Sequence, residues 1–155
     1  MFWHRPSVVV ESGQLSVEWP LKDLPRRASL GRGHGAALVD AGVVQEVSVA
    51  ERQAVSLSRF HARATEACAP SVVVWSLGSK SCRVELPGIV SRDGHDCSVL
   101  LDLHVEIRIR PQPGQSAPTL PADPGEVAGR LSPVLLDVLR AHAAEVDGES
   151  LFSRW

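Results

Sequence analysis

The chain has 155 residues, enough for one domain of ordinary size with an appendage and too few for two full domains. A hydrophobic share of 44% and a charged share of 22% are those of a globular protein, and the net charge of −2 builds no field that would recruit nucleic acid or an anionic membrane. No apolar run is long enough to span a bilayer, so neither nucleic acid nor a membrane is expected as a partner.

In chain order, MFWHRPSVVVESGQ meets Glu11 after one short apolar stretch and does not read as a secretory signal. From residue 7 to about 110 the pattern is of short strands, expected over 7–11, 15–19, 27–31, 43–49, 60–65, 71–77, 82–86, 98–101 and 104–110. Turn-forming pieces such as Ser12-Gly13, Pro87-Gly88 and Asp93-Gly94 separate them. Alternation is cleanest from Leu103 to Arg110, which predicts one face on a core and one in water. Many short strands at close spacing point to an antiparallel sandwich or barrel. Pro111 to Pro124 is proline-rich and reads as a linker. Beyond it, Val127, Leu131, Val134, Leu135, Val138 and Leu139 recur at three- and four-residue spacing, an amphipathic helix restarted at Ser132-Pro133 and stopped near Asp147-Gly148. Leu151, Phe152 and Trp155 close the chain with apolar side chains that need a docking place. The expected division is a β-domain over 1–110, a linker over 111–125 and a helical segment over 126–155. The helix is expected to pack on the β-domain or on a partner.

Three cysteines, Cys68, Cys82 and Cys97, are an odd number without CxxC spacing, which fits a reduced chain in the cytoplasm. Gly31-Arg32-Gly33-His34-Gly35 places alternate glycines after a strand. A dinucleotide loop needs GxGxxG leading into a helix, and Ala36-Ala37-Leu38-Val39-Asp40 follows instead, so the stretch reads as a turn that carries an Arg. The six His are scattered, and His95-Asp96-Cys97 lacks a second pair of ligands, so no metal is expected. No Ser or Cys occupies a nucleophile elbow or triad context, so neither an enzyme nor a cofactor is expected.

One further set combines Arg32, Ser58-Arg59-Phe60-His61 and Gly78-Ser79-Lys80-Ser81, all near predicted strand ends. It supplies guanidinium groups, hydroxyls and an ammonium, the donors that hold a phosphate. The order of these motifs resembles the forkhead-associated (FHA) domain, a phosphothreonine-peptide-binding antiparallel β-sandwich of about eleven strands. Gly31-Arg32 matches its Gly-Arg element, Ser58-Arg59-Phe60-His61-Ala62 its Ser-Arg-x-His element, and Gly78-Ser79 the start of its Gly-Ser-Thr-Asn-Gly element. Asp93-Gly94-His95 and the strands around it are similar to its closing turn.

The resemblance implies an all-β sandwich followed by the linker and helix, and a non-enzymatic role as a phosphothreonine-dependent protein-binding module in signalling. Arg32, Ser58 and Arg59, with Lys80 and Ser81, would contact the phosphopeptide, while Gly31, His61, Gly78 and Ser79 would support the site. Lys80-Ser81 stands where the family has Thr-Asn, and Leu86-Pro87 where it has a second Asn-Gly. Those departures leave a second expectation, a degenerate scaffold that binds a protein partner without phosphate, through the C-terminal helix.

Overall fold

The computed structural model describes residues 5–64 and 69–153; the predicted strand end at Thr65, the thiol of Cys68 and the apolar terminus at Trp155 lie outside them. In chain order the elements are β1 (Ser7–Val8), β2 (Ser16–Pro20), a 3-10 turn (Leu21–Asp23), β3 (Ser29–Leu30), β4 (His34–Asp40), β5 (Val43–Ala50), β6 (Val55–Ser56), α1 (Ser58–Arg63), β7 (Ser71–Ser76), β8 (Lys80–Val90), β9 (Asp96–Val105), α2 (Pro124–Ala143) and α3 (Gly148–Ser153). The chain is mostly β with a C-terminal helix, as expected, but the strands number nine among the described residues rather than about eleven. It divides into two compact units. The first holds the chain up to Lys80 and then Val105–Asp123; the second holds Ser81–His104 and the residues from Pro124 onward.

In the first unit, a four-stranded antiparallel sheet runs in the order β2-β7-β4-β5, beside a small sheet β1-β3-β6 in which β1 joins β3 in parallel. β7, Ser-Val-Val-Val-Trp-Ser, is buried along nearly its whole length, which suits a central strand covered on both faces. Its neighbour β4 was absent from the predicted strands, because Gly35, Ala36 and Ala37 have little intrinsic strand preference. Tertiary packing demands those small residues: a Cβ on Gly35 would come within 2.4 Å of the Trp75 ring. The main core joins Val72 and Val74 of β7 and Leu38 of β4 to Leu30, Leu57 and Phe60 across from them.

The stretch 60–65 is a correction. Its residues 60–63 belong to helix α1 rather than a strand, and Ala64 follows in extended conformation. Phe60, Ala62 and Ala64 alternate like a strand, but Phe60 and Ala64 are also one helical turn apart. The structure uses that second spacing, with Phe60 buried, Ala64 packed against the same core, and Ala62 exposed. Ser56 Oγ accepts the Ser58 N–H at 3.3 Å, so a neighbouring hydroxyl covers the start of the helix.

The proline-rich stretch is also bound down. Val44 N–H donates to Gln115 O at 2.8 Å, Gly114 N–H to Val44 O at 2.8 Å and Ala117 N–H to Gly42 O at 2.8 Å. At its other end Leu15 N–H donates to Ala122 O at 2.7 Å and the Ser16 hydroxyl to Pro121 O at 2.8 Å. Residues 111–123 therefore form a strap running from β5, one edge of the four-stranded sheet, to the other edge at β2. Prolines suit that duty, since a strap that guards an edge offers few N–H groups to a further strand. The alternation predicted over 103–110 holds as burial, with Ile107 buried and Arg108 and Arg110 exposed, although strand pairing stops at Val105.

The second unit is a hairpin of β8 and β9 with α2 and α3. Leu86 and Ile89 of β8 are buried with Ala143 and Leu151, and Val99, Leu101, Leu135 and Leu139 pack around them. Two residues, Pro87 and Gly88, separate Leu86 from Ile89, and the positive φ of 72° at Gly88 lets the strand keep both on the same side. At the hairpin turn, Asp93 accepts hydrogen bonds from the Ser91 hydroxyl and from Gly148 N–H at 2.8 Å, with His95 Nδ1 at 3.1 Å. The helix expected from 125 to about 146 runs unbroken over Pro124–Ala143. Pro133 is accommodated within it, and the Ser132 hydroxyl donates back to Ala128 O at 2.6 Å rather than capping a new start.

Candidate binding sites

The turn after β3 carries the first expected phosphate contact. Gly31 N–H donates to Val8 O at 2.9 Å, and a Cβ there would lie 2.4 Å from the Val9 side chain, so only glycine lets β1 and this turn approach. Gly33 has φ of +80°, which glycine reaches without strain. Its N–H donates to Ala50 O at 2.6 Å, and its carbonyl accepts Leu77 N–H at 2.8 Å. That last bond ties the Arg32 turn to the turn after β7, where Gly78 N–H donates to the Ser76 hydroxyl at 3.3 Å and Lys80 opens β8.

His34 holds the turn from beneath. The Arg32 carbonyl can only accept, so His34 Nδ1, 3.1 Å away, carries the proton. Nε2 of the neutral ring is then the acceptor for Val10 N–H at 3.1 Å. The supporting histidine beside Arg32 is thus His34. The sequence signal for it was a lone His between glycines at a strand start.

Ser58, Arg59 and His61 lie elsewhere in the first unit. Register pairs Ser29 with Ser56 and Leu30 with Val55, so the chain leaves this ladder at opposite ends toward Arg32 and toward Ser58. Leu57 N–H donates to Ala28 O at 3.0 Å, which keeps Ser58 at the start of β3 rather than at its end. The Leu77 N–H to Gly33 O bond joins the turn that carries Gly31 and Arg32 to the one that leads into Gly78, Ser79 and Lys80. The structure does not bring Ser58, Arg59 or His61 to them. Ser81 is the first residue of the second unit. The Arg59 guanidinium faces Glu46 of β5 at 3.8 Å, and Arg63 approaches the same carboxylate at 3.4 Å. With both arginines largely exposed, these pairs each contribute at most about 1 kcal/mol.

Two cavities of the first unit contain polar atoms that sequence reading did not foresee. A cleft of about 1050 Å3 is lined by Gly33, Gly78, Trp75, Val49, Glu106 and Arg108 among others. Trp75 is 1% exposed, and its indole N–H is buried without a hydrogen-bond partner. A second cavity, of about 810 Å3, is lined by Leu21, Lys22, Arg26, His61, Ala64 and Pro70 among others, and His61 Nε2 is buried without a hydrogen-bond partner among the described residues.

Carboxylates with a displaced pKa lie at ordinary surface pairs. Asp93 is held well below the usual carboxylate range by the Ser91 hydroxyl, the Gly148 N–H and His95. Asp102 is lowered by Arg83, which donates to it at 2.9 Å, and Glu106 by Arg108 at 3.0 Å. Among the described residues no group of three His, Cys, Asp or Glu side chains stands together as a metal site. Cys82 and Cys97 are free thiols, and the Cys97 thiol donates to Ile89 O. No helix among the described residues is long and apolar enough to cross a membrane. Compared with models of known families, with curated proteins and with solved structures, the chain matches none of them.

Proposed function

We propose that the chain is a protein-binding module that docks an amphipathic partner helix on α2, without need of phosphate. One observation carries this reading. Leu135 and Leu139 pack into the core of the second unit, whereas Leu131, Val134 and Val138 form a second apolar stripe that stands 44%, 61% and 62% exposed. These three lie at i, i+3 and i+7, two helical turns or about 10 Å of one face, which is the footprint of helix-on-helix recognition. Arg130 and Asp137 border the stripe on one flank, so a partner helix with the two charges in the opposite order completes it. The test is an array of amphipathic helical peptides, read with the wild-type chain and with Val134→Glu/Val138→Glu. Peptides retained by the wild type and lost by the variant support the reading. Binding indifferent to the variant sinks it, and self-association in light scattering instead assigns the face to a second copy.

A second reading, recognition of phosphothreonine by an FHA-like scaffold in signalling, is favoured by the Leu77 N–H to Gly33 O bond, which sets Arg32 near the Gly78–Lys80 turn. Phosphate would then be held by Arg32 and Lys80 with backbone N–H groups of the two turns, in place of the wider set that includes Ser58 and Arg59. Titration with phosphothreonine peptides and their unphosphorylated forms decides it: equal affinity for both, or an Arg32→Ala variant that binds as well as the wild type, removes this reading.

A further inference from the structure

We propose that the cavity beside the 3-10 turn is a separate ligand site, taking a small molecule with an apolar body and one anionic head, a carboxylate or a phosphate. Its lining residues lie off α2 and do not include Arg32, so it stands or falls independently of the α2 face and of the Arg32 turn. Its volume of about 810 Å3 is that of a small-molecule site. Leu21, Pro70 and Ala64 give it apolar walls for the body of the ligand.

Among the described residues, the charged lining has one sign. Lys22 and Arg26 are the charged residues there, and neither Asp nor Glu is among the described residues that line it. Both cations sit on hydrogen-bonded turns. Leu21 N–H donates to Pro70 O at 2.9 Å and Leu24 N–H to Leu21 O at 3.0 Å around Lys22, and Ala28 N–H donates to Pro25 O at 3.0 Å around Arg26. Their positions are therefore set by backbone, while their side chains remain exposed and available. From α1, His61 adds its ring to the wall. The two cations hold an anionic oxygen at the mouth by charge-assisted bonds. An apolar body that displaces water from the walls lowers the local dielectric and strengthens the same contacts.

The experiment titrates the whole chain with decanoate, decyl phosphate, decanol, acetate and inorganic phosphate by calorimetry, and follows the His61 imidazole by NMR. Decanoate or decyl phosphate is expected to bind about tenfold more tightly than decanol and than either small anion, and the better of the two identifies the head group. Lys22→Ala/Arg26→Ala, two exposed positions, is expected to remove about that tenfold advantage and leave decanol binding unchanged. The proposal is overturned if nothing saturates at millimolar concentration, if inorganic phosphate binds as tightly as decyl phosphate, or if the Lys22→Ala/Arg26→Ala variant binds both amphiphiles like the wild type.

Discussion

The two units treat apolar surface in opposite ways. In the first, the central strands β4 and β7 are covered on both faces, and the strap of residues 111–123 binds both edges of their sheet. In the second, a hairpin and a helix share one core, yet Leu100, Val134, Val138 and Phe152 remain exposed. Both units are rich in Val and Leu, so composition does not separate them. What separates them is whether another segment of the chain arrives to cover the second face, and a face left bare is a face available to a partner.

That contrast is sharpest in single substitutions. Trp75→Ala is expected to destabilise the first unit by about 3–5 kcal/mol, because a fully buried ring leaves a cavity, whereas Val138→Ala is expected to stay within about 0.5 kcal/mol. Urea unfolding followed by circular dichroism compares them, and similar losses would erase the distinction between sealed and open faces. Gly35→Ala follows, at about 1–3 kcal/mol, since its new methyl meets the Trp75 ring and can be relieved only by moving a central strand. Ser16→Ala removes the hydroxyl bond to Pro121 O and is expected to cost about 1 kcal/mol, with faster amide exchange in the strap residues.

The smallest effect belongs to the second unit. Asp93 has a folded pKa depressed below the ordinary value of about 3.9, so its contribution is complete above that value and fades as pH falls toward the folded pKa. Asp93→Asn is therefore expected to be less stable than the wild type near neutrality, with the difference closing as the pH is lowered through about 4 toward 2. A difference that stays constant with pH would show that the carboxylate's charge contributes nothing there.

Strands whose evidence is local were legible in the sequence. β7 reads directly from its valines, and the hairpin turn from Asp93-Gly94, where Gly94 has φ of +84°. β4 was not, because glycine and alanine carry little strand signal, and Gly35 is explained by the Trp75 ring lying against it. The Phe60–Ala64 run satisfied two periods at once, and five residues are too few to choose between them. The proline-rich stretch looked like a linker because its partners, Leu15, Gly42 and Val44, lie 70 or more residues away in sequence. The candidate site divides in the same way. The sequence places Arg32, Ser58 and Lys80 near strand ends, but which ends meet depends on the β3–β6 register, and that register sends Ser58 away from Arg32.

The sequence by itself determined a β-rich chain with an amphipathic C-terminal helix, because alternation and three- and four-residue spacing are properties of neighbouring residues. Only the tertiary structure decided that residues 58–63 coil into a helix, that His34 braces the Arg32 turn, and that the proline-rich strap seals a sheet. Each of those depends on a hydrogen bond or a packing contact between segments far apart in the chain. Such contacts form only where strand register aligns the two partners, and that register is fixed when the apolar faces of separate strands meet in one core.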